Sequence, residues 1–201
     1  MTDDDAADDL SNLGLECSED WVPFPVTDTV PLDYWARNQA DELVARYARE
    51  GKRGDARVLA RSLKRAAADS RTRSPLGAFG LYLSGYDFMA AGLELDAIHP
   101  DAEYPEITLA LLAERMTVDD FGAPDIRELR LPLGDAIRIR QNFIAEKKRL
   151  LGPRPVVRSL FYAVRPAGMR TALTLMLSWT EAVLDEPVER MGDDIAGTLT
   201  V

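Results

Sequence analysis

Residues 171–179 read Thr-Ala-Leu-Thr-Leu-Met-Leu-Ser-Trp, and the rest of the chain is organised around this stretch. Leucine or tryptophan stands at every second position from residue 173 to residue 179, which places these side chains on one face of a β-strand. The opposite face carries uncharged residues that are small or apolar: Ala172, Thr174, Met176 and Ser178. Because a strand with no charge on either face is usually covered on both, we predict that it is the central strand of a sheet.

Further strand-like segments lie before this stretch and are joined to it by short turns, which indicates antiparallel pairing. Residues 21–26 contain two prolines, so we predict an edge strand or an extended arm there. The sequence Arg165-Pro166-Ala167-Gly168 predicts a hairpin turn directly before the central strand. The other predicted strands cover residues 76–84, 92–98, 106–116, 126–131, 136–144 and 156–164.

Helices are predicted at both ends of this run of strands. The first ends at Gly51, the second is capped by Asp55, and the last is capped by Asp185 or Glu186. Helices gathered at the two ends of an antiparallel run are typical of an α+β domain. We therefore predict an α+β fold, an antiparallel sheet of about six or seven strands with an N-terminal helical hairpin and a C-terminal helix packed on it.

Acidic residues are concentrated at the start of the chain. Residues 1–20 hold eight acids and no base, whereas the remainder holds 26 acids and 24 bases. Because like charges repel and bulky apolar groups are few, residues 1–18 are predicted to form a disordered acidic tail. Residues 19–201 are predicted to form a single domain. The near-neutral charge of that domain argues against nucleic-acid binding, which needs a large positive excess.

The residues that most enzymes and metal sites need are scarce. The chain has one cysteine, Cys17, and one histidine, His99, too few for a zinc site. No Gly-x-Ser-x-Gly elbow accompanies His99, and residues 51–54 do not form a phosphate-binding loop because no Ser or Thr follows the lysine. We therefore predict a protein that is not an enzyme and that holds no cofactor or metal. An enzyme that uses carboxylates such as Glu94, Asp96 and Glu106 stays open as a third alternative.

Two features bear on the compartment. No apolar run of 18 residues is present, so no transmembrane segment is expected. The start of the chain is acidic where a signal peptide would be basic. We therefore expect a cytoplasmic protein. The sequence does not indicate the oligomeric state.

Basic residues follow one another at helical spacing in the second predicted helix. Arg57, Arg61 and Arg65 stand at i, i+4 and i+8 and repel one another along one face. We call the following set the basic ridge: Arg53, Arg57, Arg61, Lys64 and Arg65. Either it is a solvated face, or it binds an anion, namely an acidic patch of a partner or the acidic tail of this chain. Aromatic residues further along, including Tyr86 and Phe88, are assigned to the core, although they could also line a pocket.

The C-terminal part resembles a group of known proteins. The segments 131–140 (Leu-Pro-Leu-Gly-Asp-Ala-Ile-Arg-Ile-Arg), 162–166 and 193–196 are similar to recurring segments of uncharacterised actinobacterial proteins. Those proteins resemble the PsbP-like α/β/α sandwich, an antiparallel sheet with helices on both faces. The resemblance spans about residues 75–201, and it implies a non-catalytic domain that binds proteins.

Two functions therefore remain for a chain of this class. The leading prediction is a non-catalytic protein-interaction or adaptor domain with a protein partner. The alternative is a domain that binds a small apolar ligand, because the order of strands and helices is also that of helix-grip domains. An apolar cavity of at least about 300 Å³ beneath the C-terminal helix would favour the ligand, and a filled core with an exposed apolar patch would favour the protein partner.

Overall fold

A computed structural model describes residues 8–144 and 155–201. In this part of the chain, seven strands form one sheet and four α-helices pack on it. A short 3₁₀ turn, Ala182–Leu184, leads into the last helix. The elements are β1 (Trp21–Pro23), α1 (Leu32–Arg49), α2 (Ala56–Arg71), β2 (Gly77–Leu81), β3 (Ala91–Ile98), α3 (Leu109–Met116), β4 (Asp125–Leu131), β5 (Gly134–Ile144), β6 (Val156–Pro166), β7 (Ala172–Trp179) and α4 (Asp185–Ala196).

The strand order is β1-β2-β3-β7-β6-β5-β4, and every neighbouring pair is antiparallel. The predicted central strand therefore takes the fourth of seven positions, between β3 and β6. In the register, Leu177 lies between Leu93 of β3 and Leu160 of β6. The α+β prediction, with helices from both ends of the run packed on an antiparallel sheet, is confirmed.

One face of the sheet is covered by α4. The β7 residues Leu175, Leu177 and Trp179 are buried in a cluster with Val188 and Ile195 of the helix. Gly192 allows the helix to approach closely, because a Cβ atom added there would lie 2.8 Å from Leu160 Cδ2. Side chains therefore fill the space between α4 and the sheet.

The opposite face is covered by two separate helical units. The α1–α2 hairpin lies over β2, with Leu59 and Leu63 packed near Ala78. The helix α3 lies over β5 and β6 through Leu112 and Ile137. The sheet thus carries helices on both faces. Between the two units, the second face of β7 is less covered, and Met176 and Ser178 are only partly buried.

The predicted strand over residues 106–116 is wrong, because this region holds the helix α3, Leu109–Met116. Alternating Ile107, Leu109 and Leu111 suggested a period of two. The helical spacing of Leu109, Leu112 and Met116 fits the sequence equally well. Thr108 decides the outcome, since its side chain accepts a hydrogen bond from the Leu111 amide and caps the first turn.

Residues 8–18 form an arm on the α4 face, which differs from the disordered tail that we expected; residues 1–7 lie outside the described residues. Gly14 pairs with Thr200 through backbone hydrogen bonds of 3.1 and 3.0 Å. Leu13, Leu15 and Cys17 pack against the main core. The charge argument overlooked these apolar residues, which repay part of the entropy of ordering. Of the acids in this arm, Asp8 accepts from the amides of Arg170 and Thr171, and Glu16 bonds Thr198 after α4, so both are placed away from the basic ridge.

We expect Cys17 to react slowly, because burial raises the pKa of its thiol from 9.0 to about 11. The thiolate is the nucleophile, so below pH 9 the folded protein should react with 5,5′-dithiobis(2-nitrobenzoate) about 100-fold more slowly than the unfolded chain. The folded rate should still rise about tenfold per pH unit beyond pH 9, where the unfolded chain levels off. Stopped-flow absorbance over pH 7–10, with the chain in guanidinium chloride as control, measures both curves. A folded rate that levels off near pH 9 would contradict the buried position.

Charged side chains tie α4 to the sheet. Arg138 of β5 is buried, and its Nε and Nη2 atoms donate to Asp193 (2.8 Å) and Glu189 (2.9 Å). Arg140 also bonds Glu189, Arg158 bonds Asp185 of the same helix, and the Tyr162 hydroxyl donates to Asp193. Burial, followed by the neighbouring Asp193 carboxylate, raises the pKa of Tyr162. We call this set the α4 clamp: Arg138, Arg140, Arg158, Tyr162, Asp185, Glu189 and Asp193.

Candidate functional site

The basic ridge lies on the outer side of α2. Asp55 caps this helix as predicted, accepting hydrogen bonds from the amides of Arg57 (2.8 Å) and Val58 (3.1 Å). Leu59, Leu63 and Ala67 face the core. This orientation leaves Arg57, Arg61 and Arg65 exposed along one side of the helix. The helix therefore presents a line of guanidinium groups at intervals of one turn.

The members of the ridge differ in their partners. Lys64 is bound to Asp33 of α1 at 2.7 Å, so its charge is already neutralised. Arg61 donates to the backbone oxygen of Arg57, at 3.3 Å. Within residues 8–144 and 155–201, the other arginines of the ridge, including Arg53 in the preceding loop, have no ion pair. Their charge is available to an anionic partner.

Exposed aromatic residues stand beside these arginines. Tyr86 and Phe88 lie in the connection between β2 and β3, with ring centroids 5.4 Å apart at an interplanar angle of 88°. Both are exposed, Phe88 by 47%, so their assignment to the core is wrong. The connection is fixed on α2, because Asp87 accepts from the Asp55 amide at 2.9 Å. The aromatic pair thus belongs to the same surface as the ridge.

Together these residues line an open groove, which we call the α2 groove. Its volume is about 500 Å³, with Arg61 and Arg65 on the helix side and Phe88 on the loop side. The remaining lining residues are Val58, Ser62, Ala66, Met89 and two carboxylates, Asp69 and Asp87. A second open depression of about 630 Å³ lies between α1 and α2, where Arg57 and Arg61 face Arg37 and Asp41. Arg61 borders both depressions, so it stands at the centre of this charged surface.

A more enclosed space continues from the α2 groove towards the sheet. This space, which we call the hairpin-face cavity, has a volume of about 320 Å³ and shares Ala66, Asp69 and Met89 with the groove. It lies against the less covered face of β7, at Met176 and Ser178. The remaining lining residues are Phe24, Ser70, Arg73, Phe79, Gly92, Leu93, Glu94, Phe143 and Val157.

The polar groups at the wall of this cavity bond one another. Glu94 accepts from Ser70 Oγ (2.7 Å) and from both Nε and Nη2 of Arg73 (2.8 and 2.6 Å). Arg73 also bonds Asp69 at 2.9 Å. These partners raise the pKa of Arg73, whose charge therefore persists at any working pH. The wall carries a neutralised ion pair, so it offers no spare positive charge to a ligand.

Residues with catalytic potential are not brought together. His99 bonds Thr171 at 3.0 Å, whereas Cys17 packs against the main core cluster. Glu94 is held by Arg73, whereas Asp96 caps the neighbouring Ala97 amide and Glu106 lies 3.8 Å from Arg165. Among the described residues, no group of three or more His, Cys, Asp or Glu side chains is placed to hold a metal ion. Over the same residues, no helix is long and apolar enough to cross a membrane.

No known family model matches the chain, and the comparison with curated proteins finds no match either. Function must therefore be inferred from the geometry of the α2 groove and of the hairpin-face cavity. The ridge was found from the spacing of its arginines. The aromatic pair and the cavity were not, because they depend on how the β2–β3 connection folds back onto α2.

Proposed function

We propose that this protein is a non-catalytic protein-interaction domain whose contact surface is the α2 groove. The observation that carries the proposal is a line of three exposed arginines that form no ion pair with any other described residue, beside an exposed pair of aromatic rings. Arginine and tyrosine are enriched at the energetic centres of protein interfaces. A guanidinium group also binds a carboxylate through two parallel hydrogen bonds.

The partner that this surface fits is an acidic segment with at least one apolar side chain. The carboxylates would bond Arg61 and Arg65, and the apolar side chain would rest on Phe88. Exposed charges attract over about 10 Å at 0.1 M salt, so binding should weaken as salt rises. The resemblance of residues 75–201 to uncharacterised actinobacterial proteins of PsbP-like architecture also implies protein binding, and it stays an expectation.

The variant Arg61→Glu with Arg65→Glu tests this proposal. It should weaken capture of the partner about tenfold or more, which corresponds to at least about 1.4 kcal/mol. The matched control reverses two arginines that are exposed and engaged in ion pairs elsewhere, Arg127 and Arg190. Both double variants change the net charge equally, so a difference between them reports the position of the charge.

Site-specific photo-crosslinking supplies the readout. A benzoylphenylalanine at position 88 should crosslink the partner in cells that naturally make the protein, and the same group at the exposed position of Tyr34 on α1 should not. Quantitative mass spectrometry compares the crosslinked protein across the variants. If the two charge-reversal variants lose the same amount of crosslinked partner, the α2 groove is not the interface. The same conclusion follows if positions 88 and 34 crosslink the partner equally.

The second candidate function, binding of a small apolar ligand, is favoured by the hairpin-face cavity. Its volume of about 320 Å³ lies at the lower end of the range for ligand sites. The cavity does not lie beneath α4, where a methyl group on Gly192 would already lie 2.8 Å from Leu160 Cδ2. A ligand would therefore lie on the hairpin face, in contrast to the site expected for a helix-grip domain.

A further inference from the structure

We infer that the hairpin-face cavity is a site for a neutral, largely apolar small molecule that carries one hydrogen-bonding group, which Ser178 recognises. This inference rests on the second candidate function and adds the chemistry of the ligand. It is independent of the acidic partner proposed for the α2 groove.

The size of the ligand follows from the volume of the cavity. An apolar cavity of about 150 Å³ is known to bind benzene in an engineered protein. The hairpin-face cavity, at about 320 Å³, is roughly twice as large and therefore suits a molecule of about two fused rings or an equivalent aliphatic chain. The side chains of Phe24, Met89, Phe143, Val157 and Met176 supply apolar contacts from five separate parts of the fold. Methionine side chains adapt to the shape of an occupant.

The floor of the cavity is open enough to receive such a molecule. Gly92 of β3 has no side chain, and a Cβ atom added there would lie 3.6 Å from both Met89 Cε and Ser178 Oγ. These are ordinary contact distances, so a larger side chain at this position would enter the cavity without straining the strand. Gly92 therefore leaves space that a ligand can use.

The charge of the ligand follows from the wall. Arg73 is already engaged by Glu94 and Asp69, so its guanidinium group offers an anionic ligand no additional ion pair. An anionic ligand would therefore lose its hydration on entering the cavity without gaining a cationic partner at this wall. A neutral ligand avoids this desolvation penalty.

Ser178 is the polar group that would orient the ligand in the cavity, through a hydrogen bond. Its hydroxyl group has no hydrogen-bond partner among residues 8–144 and 155–201, although it lines the cavity. A serine hydroxyl group both donates and accepts, so it can bond an alcohol, a phenol or a ketone. A single hydrogen bond in a mostly apolar site orients the ligand more than it strengthens binding.

Methyl NMR of the full chain with labelled methionines tests the inference with 2-naphthol as the probe. The Met89 and Met176 methyl signals should shift and saturate, whereas Met116, Met169 and Met191, which do not line the cavity, should stay unchanged. The anion 2-naphthoate should bind about tenfold more weakly or worse. Ser178→Ala should weaken 2-naphthol binding about threefold to tenfold, and Gly92→Leu should abolish it.

The experiment tests separately whether the cavity binds a ligand and whether that ligand is neutral and hydrogen-bonded. If 2-naphthol leaves Met89 and Met176 unchanged, or shifts all five signals alike, ligand binding in this cavity is refuted. If both probes bind equally well, or Ser178→Ala has no effect, the cavity is a ligand site but the neutral, hydrogen-bonded ligand is refuted. The Ser178→Ala variant removes one oxygen atom at a partly buried position, so it remains interpretable even if Gly92→Leu fails to fold.

Discussion

Replacing Leu177 by alanine should lower the free energy of unfolding by about 3–5 kcal/mol. Leu177 is fully buried at the centre of the sheet, where it packs between the β3 and β6 strands and against the close approach of α4 at Gly192. Removal of its side chain leaves a cavity that these rigid neighbours cannot close. Typical domains have only about 5–15 kcal/mol of stability, so the variant should lose a large share of it.

Urea unfolding followed by circular dichroism measures this loss. The matched control is Val183→Ala, at a residue that is 78% exposed in the 3₁₀ turn before α4; its effect should stay within about 0.5 kcal/mol. The slope of the free energy against urea should be unchanged in both variants, since the surface exposed on unfolding is nearly the same. A loss below about 1 kcal/mol for Leu177→Ala would contradict the central position of β7.

Replacing Arg138 by alanine is expected to cost about 2–3 kcal/mol. The buried guanidinium group bonds Asp193 and Glu189, and its removal leaves the two carboxylates with fewer donors. The cost should stay below that of a fully buried ion pair, because Asp193 is 53% exposed and water can solvate it. Arg140 also continues to bond Glu189 at 2.7 Å.

A double-mutant cycle with Asp193→Asn separates the ion pair from the packing of the arginine stem. The coupling energy between Arg138 and Asp193 should reach about 1 kcal/mol. Arg130→Ala is the matched control, since Arg130 bonds Asp135 through a pair in which both side chains are exposed, and its loss should cost no more than about 0.5 kcal/mol. If Arg138→Ala behaves like Arg130→Ala, the α4 clamp does not hold the helix on the sheet.

The period of two in residues 171–179 was sufficient to predict the central strand, because only one register buries every leucine. The same argument failed at residues 106–116. There the apolar residues satisfy both periods, and the capping hydrogen bond of Thr108 decides for a helix. Alternation along β5 also does not indicate that Arg138 is buried. Its burial depends on the carboxylates of α4, which lie more than 50 positions further along the chain.

The candidate site was predicted in part. Helical spacing placed Arg57, Arg61 and Arg65 on one face, and the structure shows that face exposed. The sequence could not show that Lys64 is neutralised by Asp33, since that contact depends on how α1 packs against α2. Nor could it place Phe88 beside Arg65, because a long-range hydrogen bond from Asp55 to Asp87 fixes the loop. Local periodicity is therefore sufficient to predict a charged helix face. The residues that surround this face depend on tertiary contacts, which the periodicity does not contain.

The position of β7 in the sheet has a consequence for biosynthesis. The strands β1, β2 and β3 lie on one side of it and β4, β5 and β6 on the other, yet β7 follows all six in the chain. During translation, two half-sheets therefore leave the ribosome with the inner edges of β3 and β6 still lacking the strand that pairs with both. Unpaired edges of this kind favour aggregation. The nascent chain should consequently be a client of ribosome-associated chaperones until β7 emerges and joins the two halves.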